Sequence, residues 1–280
     1  MRPIRSLLFA PGNRPELVGK FPRYPADAFA IDLEDAVPEA EKDDARRALP
    51  AIVASLREQK LSAQLFIRTN ASRSRHAEAD LAAALEMSVD GVMMPKLESV
   101  TELKKFAAQI DRSGHGVQLI GVIETARGVL NVETLAAVTH SHLTALAFGA
   151  EDFMTDLGGQ RTPEGLEVLY ARSRVVLAAR AAGLQALDLV FVNIRDDEGF
   201  RRDAQVGRQL GYSGKMCIVP RQVETANVVF SPSAQEIERA RRLLDAYDNA
   251  QADGRGVFEF EGAMVDEPIL KRARGILDLA

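Results

Sequence analysis

Cysteine is almost absent from the 280-residue chain, since Cys217 is the only one. A single thiol excludes an intrachain disulfide and leaves a cysteine-based zinc site without ligands. We therefore expect a protein of a reducing compartment, the cytoplasm, with Cys217 as a core residue of an apolar run. Histidine is also scarce, and His76, His115, His140 and His142 are expected to be solvated or capping residues.

An excess of basic charge and a long hydrophobic run are missing as well. Lys and Arg number 35 against 40 Asp and Glu, a net charge of −5 that gives no bulk attraction for nucleic acid. The first apolar run, 6–10, is shorter than the roughly 7 residues of a signal-peptide core. The longest uncharged stretch, 134–150, carries Thr, Ser and His side chains that are costly in lipid. We expect neither nucleic acid nor a membrane as a partner.

Short apolar runs alternate with longer helical patterns along most of the chain, and 46% of the residues are hydrophobic. This alternation is typical of parallel strands joined by helices. No GxGxxG loop follows an early strand, which disfavours a doubly wound dinucleotide-binding sheet. Eight β/α units predict an α/β fold of the (β/α)8 TIM-barrel type, which takes about 250 residues. The eight predicted strands are 6–10, 28–33, 64–68, 91–95, 118–124, 145–149, 187–191 and 215–219.

The pattern changes after the eighth strand. A charged amphipathic helix at 233–249, a Gly-rich break at 252–256 and a last helix at 268–279 follow. We therefore predict a TIM-barrel catalytic domain at 1–222 and a C-terminal helical extension at 223–280. The extension is long enough to cover the active face or to reach a neighbouring subunit, and packing on the barrel's own flank is the alternative.

Charged side chains follow five of the eight predicted strands. Active sites of TIM barrels lie at the C-terminal ends of the strands, so these side chains should meet on one rim. Several carboxylates with one Arg and one Lys would repel one another unless a cation were bound. Glu124 and Asp152 are hard oxygen ligands at two strand ends and point to Mg2+. The candidates are Asp32, Glu34, Asp35, Arg68, Lys96, Glu124, Glu151 and Asp152.

The two cations on this rim allow different chemistry. The guanidinium of Arg68 could clamp a carboxylate or stabilise an oxyanion, and a structural salt bridge to Glu34 or Asp35 is the alternative. Lys96 could form a Schiff base if burial lowered its pKa, which would define a metal-free aldolase.

Basic residues in two N-terminal segments could hold the phosphates of a nucleotide-bearing substrate. Arg14 lies in the loop after the first strand, and Lys42 and Arg46 open a helix. Lys42 with Glu39, and Arg46 with Asp43, also have the i,i+3 spacing of ordinary helix-surface pairs, which is the alternative.

Eight ordered motifs span nearly the whole chain. They are RSLLFAPGNRP, IDLEDAV, FIRTN, MMPKLES, IETARGVLN, FGAEDFMTDLG, GKMCIVPRQ and FEGAMVDEPILKRA. Together they resemble the HpcH/HpaI aldolase and citrate lyase superfamily, with greatest similarity to citrate lyase β subunits (CitE) and to citramalyl-CoA and malyl-CoA lyases. The resemblance implies a Mg2+-dependent TIM-barrel lyase. Such an enzyme cleaves or forms a 3-hydroxyacyl thioester, such as citryl-, citramalyl- or malyl-CoA, from a 2-keto acid and an acetyl thioester.

The resemblance also implies roles for individual residues. Glu124 and Asp152 correspond to the metal ligands, and Arg68 corresponds to the arginine that binds substrate and stabilises the oxyanion. Asp266 is similar to the aspartate that reaches a neighbouring subunit's site as acid or base. This position implies a homo-oligomer, a trimer or a multiple of it such as a hexamer.

Further positions correspond to contacts with substrate and CoA. Glu34 and Asp35 resemble residues on the substrate side of the metal. Arg14, Lys42 and Arg46 lie in segments that face the CoA moiety in relatives.

The sequence departs from the family pattern at the end of the eighth strand. Val219 precedes Pro220 where related lyases often have His. This exchange removes a polar group from the rim and leaves open which hydroxyacid is accepted, and whether the thioester is CoA or an acyl carrier protein. A non-catalytic or carrier-dependent subunit of a citrate lyase assembly stays open as an alternative.

Overall fold

The computed structural model describes residues 2–252 and 257–279. Its eight parallel strands are β1 (Ser6–Pro11), β2 (Ala28–Asp32), β3 (Gln64–Arg68), β4 (Gly91–Met94), β5 (Gln118–Ile123), β6 (Leu143–Phe148), β7 (Gln185–Asp188) and β8 (Gly214–Cys217). They form a closed barrel in sequence order. Leu7 of β1 lies opposite Ala28 of β2 on one side and Met216 of β8 on the other, which closes the ring. The predicted TIM barrel is confirmed.

Helices connect the strands and each buries one face. In the fourth helix Leu103, Phe106, Ala107 and Ile110 are buried, which is the i,i+3/i+4 pattern of an amphipathic helix. The helices are α1 (Pro15–Val18), α2 (Lys42–Glu58), α3 (Ala77–Leu85), α4 (Val100–Ser113), α5 (Ala126–Ala136), α6 (Ala150–Leu157), α7 (Leu166–Ala181), α8 (Asp197–Leu210) and α9 (Pro220–Val229). Within the described residues, no helix is long and apolar enough to cross a bilayer.

The interior of the barrel is filled by side chains, so it offers no continuous channel. Small residues alternate with large ones, which lets the inward-facing layers interdigitate. Each large side chain removed from water there contributes about 1.5–3 kcal/mol to folding. The cluster consists of Ile4, Leu7, Ala28, Ala30, Phe66, Met93, Ile120, Val122, Ala145, Ala147, Leu187 and Met216.

The seventh strand begins and ends earlier than the apolar run predicts. Its ladder covers Gln185–Asp188, whereas the predicted strand was 187–191. Val190 and Phe191 therefore follow the strand, on the side where the β7–α8 loop begins. Apolar residues beyond the end of a strand shift the predicted strand bounds, because these residues are hydrophobic for a reason other than burial in the sheet.

The chain divides into two compact units, Met1–Asn227 and Val228–Ala280. The sequence pattern predicted the division between residues 222 and 223. The second unit contains α10 (Ala234–Ala252) and α11 (Glu267–Asp278), close to the two predicted helices. Most of the Gly-rich break, residues 253–256, lies outside the described residues.

A β-hairpin in the second unit was missed by the sequence analysis. It pairs β9 (Phe258–Phe260) with β10 (Ala263–Val265). The two-residue turn, Glu261 and Gly262, has φ values of 50° and 79°, the left-handed conformation that matches hairpin twist. Strands of three residues are too short for a periodic signal. The unit's small core contains Leu243, Val265, Leu270 and Ala273, with Tyr247, Phe258 and Phe260 packed against it.

Candidate active site

The C-terminal ends of the barrel strands surround a cavity of about 440 Å3. Strand β2 ends at Asp32 and β3 ends at Arg68, while Lys96 and Glu124 follow β4 and β5. Asp152 lies in the first turn of α6. The strand-end candidates of the sequence analysis therefore meet on one rim, as expected from parallel strands, and Glu151 also lines the cavity but pairs with Arg161 at 3.1 Å. We call the following set the mouth cluster: Asp32, Glu34, Asp35, Arg68, Lys96, Glu124 and Asp152.

Arg68 makes its strongest contacts with Asp32. Its Nε and Nη2 donate to the two carboxylate oxygens at 2.7 and 2.6 Å. Although burial raises the pKa of Asp32, the neighbouring guanidinium lowers it further, and the carboxyl stays ionised. Nη1 is 3.2 Å from Glu34 Oε2 and 3.9 Å from Asp35 Oδ2. The salt bridges foreseen as an alternative therefore exist, and a bidentate pair with Asp32 fixes the orientation of the guanidinium.

Glu34 and Lys96 form a second pair in the cluster. Lys96 Nζ donates to Glu34 Oε1 at 2.7 Å and lies 3.5 Å from Asp152 Oδ1 and 3.8 Å from Asp35 Oδ1. Burial raises the pKa of Glu34 to about 7, against the opposing effect of Arg68. Glu34 Oε2 is buried and accepts no hydrogen bond. The nearest cation to this oxygen is Arg68 Nη1, in the ion pair at 3.2 Å.

Glu124 is the most deeply buried carboxylate that follows a strand on this rim, at 2% exposure. Burial, followed by the nearby carboxylates of Glu34 and Asp152, raises its pKa to about 8. Its Oε1 accepts the backbone N–H of Lys96 at 2.8 Å, and Lys96 holds a left-handed φ of 49°. A Cβ on Gly149 would lie 2.4 Å from Glu124 Oε2. Glycine at that position therefore leaves room for the carboxylate.

The surroundings of Lys96 oppose the Schiff-base hypothesis. A nucleophilic lysine needs a lowered pKa so that its amine is neutral. Burial lowers the pKa of Lys96, but the hydrogen bond and charge of Glu34 outweigh burial and the pKa is raised. Lys96 is held as an ammonium among carboxylates, and its role is to compensate charge.

The donor set fits a magnesium ion. Mg2+ keeps several waters and usually takes one or two carboxylates plus substrate oxygens. Glu124 supplies a hard oxygen after β5 and Asp152 supplies one from the first turn of α6. Burial, followed by the nearby carboxylates, raises the pKa of Glu124, and a bound cation would offset both effects. Within residues 2–252 and 257–279, no three His, Cys, Asp or Glu side chains converge as a complete metal cage. Substrate and water would therefore supply the remaining ligands.

The three basic residues expected near CoA have different surroundings. Lys42 is buried and donates to the carbonyls of Leu33 and Glu34 at 2.9 and 2.7 Å, so it orders the loop that carries Glu34. Arg46 pairs with the buried Asp80 at 2.8 Å. The charged groups of Lys42 and Arg46 are therefore already bonded to protein atoms. This gives no support to their assignment as CoA-binding residues. Arg14 is exposed and pairs with its neighbour Glu16.

Asp266 lies in the second unit. It precedes α11 and is exposed, and its side chain makes no capping hydrogen bond to that helix. Its carboxylate is therefore accessible.

One histidine departs from its expected role. His76 is buried at 4% exposure, with Nε2 3.1 Å from Glu39 and Nδ1 3.5 Å from Asp43. The prediction of a solvated or capping ring is wrong for His76, because α2 and α3 pack around it. His142 precedes β6, far from the mouth along the strand, and pairs with Asp111 at 2.7 Å.

Apolar residues at the mouth were missed by the search for charged strand ends. Phe9, Val190, Met216 and Ile218 line the same cavity. The available signals were the apolar residues at the ends of the predicted runs 187–191 and 215–219. Val219 follows Ile218 and is half-buried.

Comparisons with known proteins show the family of this chain. The family model of the HpcH/HpaI aldolase/citrate lyase family matches residues 5–220. The chain belongs to this family. It is 46% identical to a citrate lyase subunit beta-like protein of Deinococcus radiodurans, over 98% of this chain and 96% of that protein. It is 35% identical to the mitochondrial citramalyl-CoA lyase of Homo sapiens, over 99% and 86% of the two chains.

A solved structure extends the similarity to three dimensions. CitE from Mycobacterium tuberculosis, in complex with magnesium, acetoacetate and coenzyme A, has a TM-score of 0.82 and 32% identity. The match covers 100% of this chain and 98% of the CitE chain. The similarity therefore includes the C-terminal unit as well as the barrel.

Proposed function

We propose that this chain is a Mg2+-dependent carbon–carbon lyase. It cleaves, or in reverse forms, a 3-hydroxyacyl thioester such as citryl-, citramalyl- or malyl-CoA, giving a 2-keto acid and an acetyl thioester. The observation that carries the proposal is the mouth cluster, in which five carboxylates meet two cations and four of the carboxylates line one cavity together with Arg68. Membership of a lyase family supports it.

Glu124 and Asp152 are the proposed metal ligands. When bound, the Mg2+ ion supplies Lewis-acid polarisation of the keto acid's carbonyl and fixes the position of its carboxylate. The protein holds the two carboxylates in fixed positions, Glu124 after β5 and Asp152 at the start of α6. Gly149 and the Lys96 backbone N–H keep Glu124 in place.

Arg68 is the proposed oxyanion-stabilising residue. In the cleavage direction the substrate hydroxyl passes its proton to a carboxylate of the mouth cluster, the carbon–carbon bond breaks, and the electron pair of that bond passes to the thioester as an enolate. Arg68 lines the cavity, and its Nη1, which does not bond Asp32 and lies 3.2 Å from Glu34 Oε2, is the donor we assign to the oxygen that gains negative charge. A preorganised donor of this kind is worth about 3 kcal/mol, or roughly 100-fold in rate.

Asp266 is the proposed proton donor to the enolate carbon. A positioned acid or base contributes about 10² to 10⁴ in rate. We assign Asp266 to the site of a neighbouring subunit, which makes the working unit a trimer or hexamer. Its exposed carboxylate suits a role outside its own helix.

The thioester partner and the location are further parts of the proposal. Arg14, exposed in the β1–α1 loop, is the basic residue best available to CoA phosphates. An acyl carrier protein and other citrate lyase subunits are the alternative source of the thioester. The single buried Cys217 suits the cytoplasm.

The test is cleavage of purified citramalyl-, malyl- and citryl-CoA with Mg2+ or with chelator, following release of keto acid and acetyl-CoA. Mg2+-dependent cleavage of any one supports the proposal. Thioester binding without cleavage would replace it with a carrier-dependent subunit. Cleavage unaffected by chelator, with a covalent adduct trapped by borohydride, would replace it with the Lys96 mechanism.

A further inference from the structure

The mouth of the barrel is divided into two contiguous halves. The charged side chains come from the ends of β2 to β6, which are neighbours in the barrel. The other half comes from β7, β8 and β1, which are also neighbours because β8 closes against β1. We call this half the apolar arc, formed by Phe9, Val190, Met216 and Ile218.

The apolar arc is continuous with the barrel core. Phe9 and Val190 pack against the interior cluster, to which Met216 belongs. Met216 is buried at 4% exposure, whereas Ile218 is 36% exposed at the rim. The guanidinium of Arg68 lies 5.3 Å from the Phe9 ring centroid, and this contact is the boundary between the two halves.

The cavity has no spare cation for a second carboxylate of a substrate. Arg68 is the sole Lys or Arg among the described residues that line it. Its Nε and Nη2 are taken by Asp32, and Lys96 Nζ is taken by Glu34. With every carboxyl ionised, the five carboxylates of the mouth cluster exceed these two cations by three negative charges before substrate binds. A divalent cation would lower this excess to one negative charge, and the keto acid's own carboxylate would raise it to two.

The three candidate substrates differ in the group that must face the apolar arc. Cleavage of citryl thioester releases oxaloacetate, whose third substituent carries a second carboxylate. Citramalyl thioester releases pyruvate, with a methyl group at that position, and malyl thioester releases glyoxylate, with hydrogen. A 2-keto acid that binds the charged half through its carboxylate and carbonyl directs this substituent away from that half.

We infer, on the basis of the proposed function, that the apolar arc selects a keto acid with a small apolar substituent, as in the citramalyl thioester, and rejects the dicarboxylate of the citryl thioester. An unpaired carboxylate against Val190 and Met216 loses its hydration and gains no donor. A methyl group there gains contact with Phe9, Val190 and Met216. One methylene in an apolar pocket is worth about 10-fold or more in selection.

The first experiment compares kcat/KM for the three CoA thioesters with Mg2+ present. Citramalyl-CoA is expected to exceed citryl-CoA by about 100-fold, because of the unpaired charge, and malyl-CoA by about 10-fold. Calorimetry provides a readout that does not depend on turnover, with pyruvate binding more tightly than oxaloacetate. Equal or faster cleavage of citryl-CoA would overturn the inference and leave the lyase function intact. No cleavage of any thioester would overturn the function itself.

Variants of the apolar arc test whether it determines the preference between citramalyl-CoA and citryl-CoA. Val190→Arg adds a cation to the arc, and we expect the citramalyl-to-citryl ratio to fall by at least about 10-fold. Ile218→Arg, at a more exposed position on the same arc, should act in the same direction if Val190→Arg folds poorly. Val192→Arg is the matched control, because Val192 is 56% exposed and does not line this cavity. An unchanged ratio in a folded Val190→Arg and in Ile218→Arg would overturn the inference.

Discussion

The barrel carries two clusters of ionisable side chains that differ in charge balance. The mouth cluster is open to a cavity and has five carboxylates for two cations. The second, which we call the wall cluster, joins β7 and β8 to α7 and α8 and has two of each sign. It consists of Arg172, Asp188, Asp203 and Lys215.

The charged groups of the wall cluster are all paired with one another. Lys215 Nζ lies 2.9 Å from Asp188 and 2.5 Å from Asp203, and Arg172 bonds to the same two carboxylates. Arg172, Asp188 and Lys215 are at most 3% exposed. Burial raises the pKa of Asp203, but Lys215 and Arg172 outweigh burial and the pKa is lowered. Complete pairing makes this cluster structural.

The mouth cluster is not satisfied by its own members. The same burial raises the pKa of Glu34 to about 7 and of Glu124 to about 8, because too few cations oppose it. The comparison shows that charge imbalance beside a cavity, and not burial of charge as such, marks the site that needs an external cation.

The largest effect is expected in the wall cluster. Lys215→Met leaves two carboxylates with one cation and should lower the free energy of unfolding by about 3–5 kcal/mol. Urea denaturation measures the loss. The kcat of the folded fraction should stay within about twofold, since Lys215 faces away from the cavity. The double variant Lys215→Met/Asp203→Asn should recover part of the loss, and no recovery would contradict the pairing.

The two clusters should respond to pH in opposite directions. Glu34 and Glu124 have native pKa values above the unfolded value of about 4.3, so the native state holds more protons between pH 5 and 8. In chelator, the free energy of unfolding should therefore fall across this range by several kcal/mol. The lowered pKa of Asp203 has the opposite sign, and its stabilisation is lost only as pH falls below about 4.

Glutamine variants separate these two contributions. Glu34→Gln and Glu124→Gln should each flatten the slope between pH 5 and 8 and leave the loss below pH 4 unchanged. Urea denaturation of each variant across the pH series provides the measurement. A slope identical to wild type in both variants would mean that the mouth carboxylates are ionised at all these pH values.

Asp152→Asn should affect catalysis and leave stability nearly unchanged. Loss of a proposed metal ligand should lower kcat/KM at least about 100-fold, or about 2.7 kcal/mol of barrier. The side chain is one-third exposed, so the free energy of unfolding should change by less than about 1 kcal/mol. Mg2+ affinity by calorimetry is the second readout. Asp156→Asn, one turn later in α6, is the control, because its amide oxygen can still accept the Ala126 N–H. Full turnover by Asp152→Asn would remove the assigned role.

The smallest expected effect concerns the labelling rate of Cys217, which lies two residues after Lys215 in β8. Burial raises the pKa of its thiol to about 12. A thiol reagent at pH 8 should therefore label it only during local opening of the barrel. Labelling should become faster in Lys215→Met and stay at the wild-type rate in Asp152→Asn. Equally faster labelling of Cys217 in both variants would mean that the two clusters open together in one local unfolding event.

The sequence analysis predicted the barrel closely and the site in part. Seven strand positions followed from apolar runs, because a strand buried on both faces has few polar residues. The run at 187–191 misled the prediction of β7, since Val190 lies beyond the strand on the mouth cavity and Phe191 packs against Phe200 of α8. Lys42 and Arg46 illustrate a second limit: a basic residue next to a strand end serves the loop as readily as a ligand.

The sequence by itself determined that carboxylates, one arginine and one lysine end consecutive strands of a parallel barrel. Only the tertiary structure decided which of these side chains form ion pairs with one another. Arg68 meets Asp32 across 36 residues of sequence, and Lys96 meets Glu34 across 62. These pairs depend on strand register and side-chain reach. The apolar arc depends on closure of β8 against β1, which brings the two ends of the barrel's sequence together.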